Sequence, residues 1–171
     1  MIKLGEKEGR GVDRNIYIGV IGGGYNLSQE VEELAVRTGQ MIAKEGWVII
    51  CGGKGGIMEA VSKGASQENG IVIGILPGTS RSEGNPYLTY SLPTALGHFR
   101  NFLIAQASDI LVAFEGEYGT LSEIAIGLRL GKPVISLAGW ELGRRGFKAE
   151  GIYEASSPED AISLIKKILK L

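Results

Sequence analysis

The chain has one cysteine and one histidine in 171 residues. A single thiol excludes an internal disulfide, and one Cys with one His cannot furnish a Cys/His metal site within a subunit. No metal is expected, carboxylates such as Glu115 and Glu117 being the one remaining kind of ligand. An excess of either charge is missing as well: 18 Lys and Arg against 19 Asp and Glu leave a net charge of -1. Without a basic field, neither nucleic acid nor an anionic membrane is an expected partner. Nowhere does an apolar stretch approach the length of a membrane span, and the first residues lack the pattern of a secretory leader. The expectation is a cytoplasmic protein. No repeat, low-complexity tract or long polar linker divides the chain, so residues 15–171 read as one domain. Residues 1–14, with Gly5, Gly9 and Gly11 among charges, read as an arm or a small edge strand.

Glycine, by contrast, is abundant at 27 residues, and its placement is more telling than its number. Three clusters follow three apolar runs. The run 16–21 leads into Gly22-Gly23-Gly24, and the run 47–50 leads into Cys51-Gly52-Gly53-Lys54-Gly55-Gly56. The run 110–114 leads into Glu115-Gly116-Glu117-Tyr118-Gly119-Thr120. A helical pattern follows each. The first amides of a helix lack internal partners and carry a partial positive charge, and glycine lets the backbone approach a ligand closely. One such turn is weak support for a ligand site. Three at the carboxyl ends of three parallel strands line one edge of an open sheet, which is where such folds bind ligands. The candidate phosphate- or ligand-binding residues are Gly22, Gly23, Gly24, Gly52, Gly53, Gly55, Gly56, Met58, Gly116, Glu117, Tyr118, Gly119 and Thr120.

Continuous apolar runs at 16–21, 47–50, 71–76, 110–114 and 133–138 read as buried strands. Helical patterns lie near 28–45, 56–69, 95–107, 120–131 and 158–170. Ser28 and Ser157 fit N-cap positions, with Pro158, Glu159 and Asp160 completing the start of the last helix. Residues 151–155 suggest a short edge strand. The segment 77–93 reads as a mobile loop near the ligand edge plus a short strand at Tyr87-Leu88-Thr89-Tyr90. This alternation predicts a doubly wound α/β fold, a modified Rossmann arrangement with a mainly parallel sheet and helices on both faces.

Glu123 stands three residues after Thr120. It fits a capping box, reaching back to the Thr120 amide, or a functional acid beside a phosphate cradle. Cys51 reads as a small buried thiol rather than a nucleophile. Lys54 fits a point charge on a phosphate or a solvated turn lysine. The helix near 93–107 holds Leu96, Phe99, Phe102, Leu103 and Ile104, more than one buried stripe requires, which predicts a second packed face.

Gly116, Gly119-Thr120 and Glu123 resemble the P-G-G-x-G-T-x-x-E motif of the Lonely Guy phosphoribohydrolases. Gly52-Gly53 with Gly56-Ile57-Met58 resembles their G-G-G-x-x-G-L-M signature, and His98 and Arg100 fall where that family has M-H-x-R-K. The stretch 118–125, followed by Gly131-Lys132-Pro133-Val134-Ile135, is more similar still to the molybdenum-cofactor carrier branch. This superfamily, often labelled lysine-decarboxylase-like, also takes in part of the DNA-processing protein A. The resemblance implies a modified Rossmann fold and a homodimer or homotetramer. It also implies a nucleotide or a phosphorylated, molybdopterin-type pterin at the glycine loops, with no cofactor required.

In the enzymes of the family a nucleoside monophosphate is cleaved to free base and ribose phosphate. By motif position Arg100 and Glu123 would be the catalytic pair; His98 reads as a hydrogen-bonded structural residue rather than a base. The chain departs from the enzyme pattern at Glu115 (for proline), Glu117 (for glycine), Asn101 (for lysine) and Gly97 (for methionine). Arg100 and Glu123 lean the reading narrowly towards a phosphoribohydrolase. Glu115, Glu117 and Asn101 point instead to a non-catalytic carrier.

Overall fold

The computed structural model describes residues 15–144 and 147–171; the arm or edge strand expected at 1–14 lies outside them. The strands are β1 Tyr17–Ile21, β2 Val48–Cys51, β3 Val72–Leu76, β4 Tyr90–Pro93, β5 Ile110–Ala113, β6 Val134–Leu137, β7 Gly143–Arg144, β8 Phe147–Lys148 and β9 Ile152–Ala155. The helices are α1 Gln29–Lys44, α2 Ile57–Gln67, α3 Arg100–Ala107, α4 Tyr118–Arg129 and α5 Pro158–Leu169. Seven strands join in one sheet, ordered β4-β3-β2-β1-β5-β6-β9. Every neighbouring pair in it is parallel. The chain steps outward from β1 through β2 to β4, then returns to the other side of β1 with β5. The strand order therefore reverses between β1 and β5, the place where open α/β sheets form their crevice.

Both faces of the sheet are apolar because successive strand residues point to opposite sides. Ile18, Val20, Ile49, Cys51, Ile110, Val112, Ile135 and Leu137 share one core with Ala35, Ile42, Val61, Ala161 and Ile165 from α1, α2 and α5. Ile21, Ile50, Leu111, Ala113 and Val134 share the other with Ile104 and Ile124 from α3 and α4. A fully buried side chain of this kind contributes about 1.5–3 kcal/mol, so the strand pattern is also the main source of stability. The doubly wound arrangement with helices on both faces is thus the one the sequence predicts. No helix among the described residues is long and apolar enough to cross a membrane.

Local signals hold at two helix starts. Ser28 Oγ accepts from the Val31 amide at 3.3 Å and Ser157 Oγ from the Asp160 amide at 3.1 Å. Cys51 is buried, and burial pushes its thiol pKa up. Several elements differ from the pattern. The helix expected from residue 95 begins at Arg100, because Ala95 and Gly97 take left-handed backbone (φ 57° and 54°) and residues 97–99 form a separate 3-10 turn. The short strand expected at 87–90 forms at β4 instead, where Tyr90 pairs with Ile73. The antiparallel pair β7–β8 was not expected.

Candidate functional site

The three glycine turns are in direct contact. The Gly23 amide donates to the Glu115 carbonyl at 2.7 Å, tying the β1 turn to the β5 turn. On its other side, the Gly23 carbonyl accepts from the Ile57 amide at 2.9 Å, which ties in the β2 turn. Approach this close leaves no room for side chains. A methyl group at Gly116 would sit 2.9 Å from the Gly23 nitrogen, and one at Gly22 would sit 2.7 Å from Ile57 Cγ1. At Gly56, where φ is 67°, a methyl would lie 2.7 Å from Gly24 Cα, a neighbour that cannot rotate away.

Around this junction stand the other residues that the sequence singles out. Met58 is buried, with its Sδ 2.6 Å from where a Gly52 methyl would be and its Cε 3.8 Å from one at Gly24. Gly55 lies against the Gly24 carbonyl. The Gly53 carbonyl accepts from the Asn85 amide at 2.9 Å, and Asn85 Nδ2 donates to the Lys54 carbonyl at 3.1 Å. The segment expected to border the ligand edge is thereby fastened to the β2 turn. Lys54 is half-buried, with its Nζ 3.8 Å from Glu83 Oε2.

The helix after β5 starts at Tyr118, two residues earlier than its pattern suggests, and Glu117 is its N-cap residue. That shift overturns the capping-box reading. Thr120 becomes a buried residue of the first turn, and Glu123 lies too deep in the helix to reach back to a cap. No side chain caps α4 or α2 among the described residues, whereas α1 and α5 carry serine caps. One amide of α2 is taken by Gly23, so α4 presents the more open first turn. Glu117, Tyr118 and Gly119 are all exposed there, and a methyl at Gly119 would meet nothing within 4 Å. Glu115 is exposed as well.

Glu123 is committed elsewhere. Its Oε1 lies 3.3 Å from Arg100 Nη1, with the two side chains 9% and 11% exposed. Burial pushes the Glu123 pKa up to about 7, against the pull of Arg100, whose charge and hydrogen bond act to lower it. The guanidinium covers Gly52, where a methyl would sit 2.7 Å from Arg100 Cζ. Arg100 also donates to Asn101 Oδ1, and Asn101 Nδ2 lies 3.4 Å from Ser122 Oγ. Arg100 Nε is buried with no partner among the described residues. That burial sets Arg100 apart from an ordinary exposed helix arginine. His98 differs from its expected structural role: it is exposed, and its ring has no hydrogen-bond partner among the described residues.

Sequence reasoning missed the roles of Asn85, Glu83 and Trp140. Trp140 Nε1 donates to the Gly116 carbonyl at 3.0 Å and so braces the β5 turn from the β6 side. No local signal marks it, because its partner is 24 residues away in the chain.

The chain is similar to known proteins in sequence and in fold. An uncharacterised protein of Archaeoglobus fulgidus is 41% identical over 146 residues, covering 85% of this chain and 91% of its own. The molybdenum cofactor binding protein of the phototrophic bacterium Rippkaea orientalis superposes with a TM-score of 0.83 at 35% identity, over 92% of this chain and 99% of its own. The molybdenum cofactor carrier protein of Chlamydomonas reinhardtii gives 0.82 at 31% identity, over 92% and 100%. The model of the SLOG cluster4 family matches residues 15–162. With its parallel sheet, its joined glycine turns and that match over most of its length, the chain belongs to the SLOG cluster4 family.

Proposed function

We propose that this chain binds a phosphorylated pterin of the molybdenum-cofactor kind in the crevice between β1 and β5, and holds it without turnover. One observation carries the reading: the first turn of α4 is uncapped and opens beside the joined glycine turns, while α1 and α5 are closed by serines. Unclaimed amides with a helix dipole behind them suit a phosphate. Exposed Glu115 and Glu117 are free to turn toward solvent, which softens their repulsion of that phosphate. The likeness to the two molybdenum-cofactor proteins supports the choice of ligand class.

The state of the Arg100–Glu123 pair also favours holding over hydrolysis. Cleaving an N-glycosidic bond builds positive charge on the sugar, and an ionised carboxylate facing that charge would stabilise it. Here the carboxyl is buried and bound to an arginine, and burial works against its ionised form. A second reading, a phosphoribohydrolase acting on a nucleoside monophosphate, draws on the same pair, because strongly shifted carboxyls recur at catalytic sites.

Native purification from cells that make a molybdenum cofactor, followed by mass spectrometry of the released ligand, tests the choice. A phosphorylated pterin is expected, together with no free base released from any common nucleoside monophosphate. A bound nucleotide, with base release that Glu123→Ala abolishes, would establish the hydrolase instead.

A further inference from the structure

Tyr25 and Tyr118 are 83% and 82% exposed, whereas Tyr17 and Tyr87 are half-buried. Both exposed rings arise from the junction of the glycine turns. Tyr25 lies two residues beyond Gly23, and Tyr118 two beyond Gly116. The backbone bond from Gly23 to Glu115 holds these two turns together. Neither tyrosine belongs to the two apolar cores. Leaving a large ring in water forgoes the burial that such side chains normally gain, so two at one crevice call for a partner.

The backbone around them keeps that space clear. Asn26, with φ at 55°, bends the chain directly after Tyr25 and separates it from α1. Gly119, next to Tyr118, presents no side chain, and a methyl there would meet nothing within 4 Å. Both rings are thus largely in water, and Tyr118 is itself the first residue of α4.

We infer that Tyr25 and Tyr118 form an aromatic rim on which the planar heterocycle of the ligand stacks while its phosphate occupies the first turn of α4. The inference rests on the crevice being the site of a phosphorylated ligand. It assigns the ring to residues outside the glycine turns and separate from the Arg100–Glu123 pair. Stacking on an aromatic side chain needs a flat ring and tolerates its identity. The rim thus selects for planar heterocycles as a class, and the pattern of hydrogen bonds on the ring is read elsewhere.

The test is calorimetry on the full chain with two pairs of probes. Neopterin monophosphate is compared with glycerol 3-phosphate, and adenosine monophosphate with ribose 5-phosphate; the second of each pair lacks the ring. Tyr25→Ala and Tyr118→Ala are each expected to weaken the better-bound ringed probe about tenfold, in the range measured for such stacking. The ringless probes should bind as before, and Tyr118→Phe should bind like the natural chain. Pterin fluorescence should be quenched on binding and less quenched with Tyr118→Ala.

Equal losses for ringed and ringless probes would overturn the rim in favour of a structural role. Unchanged affinities in both alanine variants would overturn it too, while leaving the phosphate site standing. Failure of the natural chain to bind any of the four probes would remove the proposed ligand site itself, and the rim with it.

Discussion

Arg100, the first residue of α3, meets Glu123 in the second turn of α4 at 3.3 Å, and the two side chains are nearly closed off from water. Breaking such a pair from one side leaves a buried charge without its counterion, at a cost of about 3–5 kcal/mol when burial is complete. Glu123→Leu and Arg100→Met are each expected to lose about 3 kcal/mol by urea unfolding at pH 8. The double variant should recover at least half of the summed loss. Additive losses would mean that the two groups do not interact.

The raised pKa of Glu123 sets a pH dependence. With a folded value near 7 against an ordinary 4.5, the native state holds this proton more tightly than the unfolded chain does. The resulting stability is fully present below about pH 4.5, falls as pH rises through 7, and levels off above it. The contribution is at most about 3 kcal/mol. The informative quantity is the difference in unfolding free energy between the natural chain and Glu123→Gln, which isolates this carboxyl. That difference should shift steadily between pH 5 and 8. A constant difference would show that the carboxyl titrates near its ordinary value.

Two glycines separate folding from binding. Gly56→Ala places a methyl against the backbone of Gly24 at a left-handed position, and a loss of about 2 kcal/mol or more is expected from thermal unfolding. Gly119→Ala meets open space inside a helix and should be neutral or stabilising by up to about 1 kcal/mol. If a phosphate sits over the first turn of α4, the same Gly119→Ala change should weaken its binding. A variant that is both stable and fully competent to bind would place the phosphate elsewhere.

Self-association is expected from the surface beside α3. Tyr90, Leu92, Leu96, Phe99, Phe102 and Leu103 are all exposed. Together they present on the order of 600 Å² of apolar surface, at the upper end of what monomers leave uncovered. Sedimentation velocity at micromolar concentration should therefore find a homodimer or a larger assembly, and Phe99→Ser with Phe102→Ser should shift it toward the monomer. A natural chain that sediments as a monomer would refute this.

Periodicity alone was sufficient for the strands that carry the core. Runs such as 47–50 and 110–114 are apolar at every position, and a strand buried on both faces requires that. Caps at Ser28 and Ser157 were legible for the same kind of reason, since they depend on neighbours three residues away. The glycine turns were legible as a set because glycine is the residue that permits the approach of Gly23 to Glu115 and of Gly56 to Gly24.

Other features depended on which segments met in space. The sequence around Glu123 fits a cap and an acid equally well; the start of α4 at Tyr118 decided against the cap, and the fold set Arg100 beside the carboxyl. The start of α3 was hidden because Ala95 adopts a left-handed backbone through bonds to distant carbonyls, with its amide donating to Gly78. Lys54 found Glu83 and Gly116 found Trp140 across 29 and 24 residues of chain, respectively. The sequence by itself determined the sheet, its two apolar faces and the glycine edge, because each follows from local spacing. Tertiary structure alone decided the raised pKa of Glu123, the burial of Arg100 and the exposure of Tyr25 and Tyr118, because desolvation depends on what the rest of the chain packs around a group.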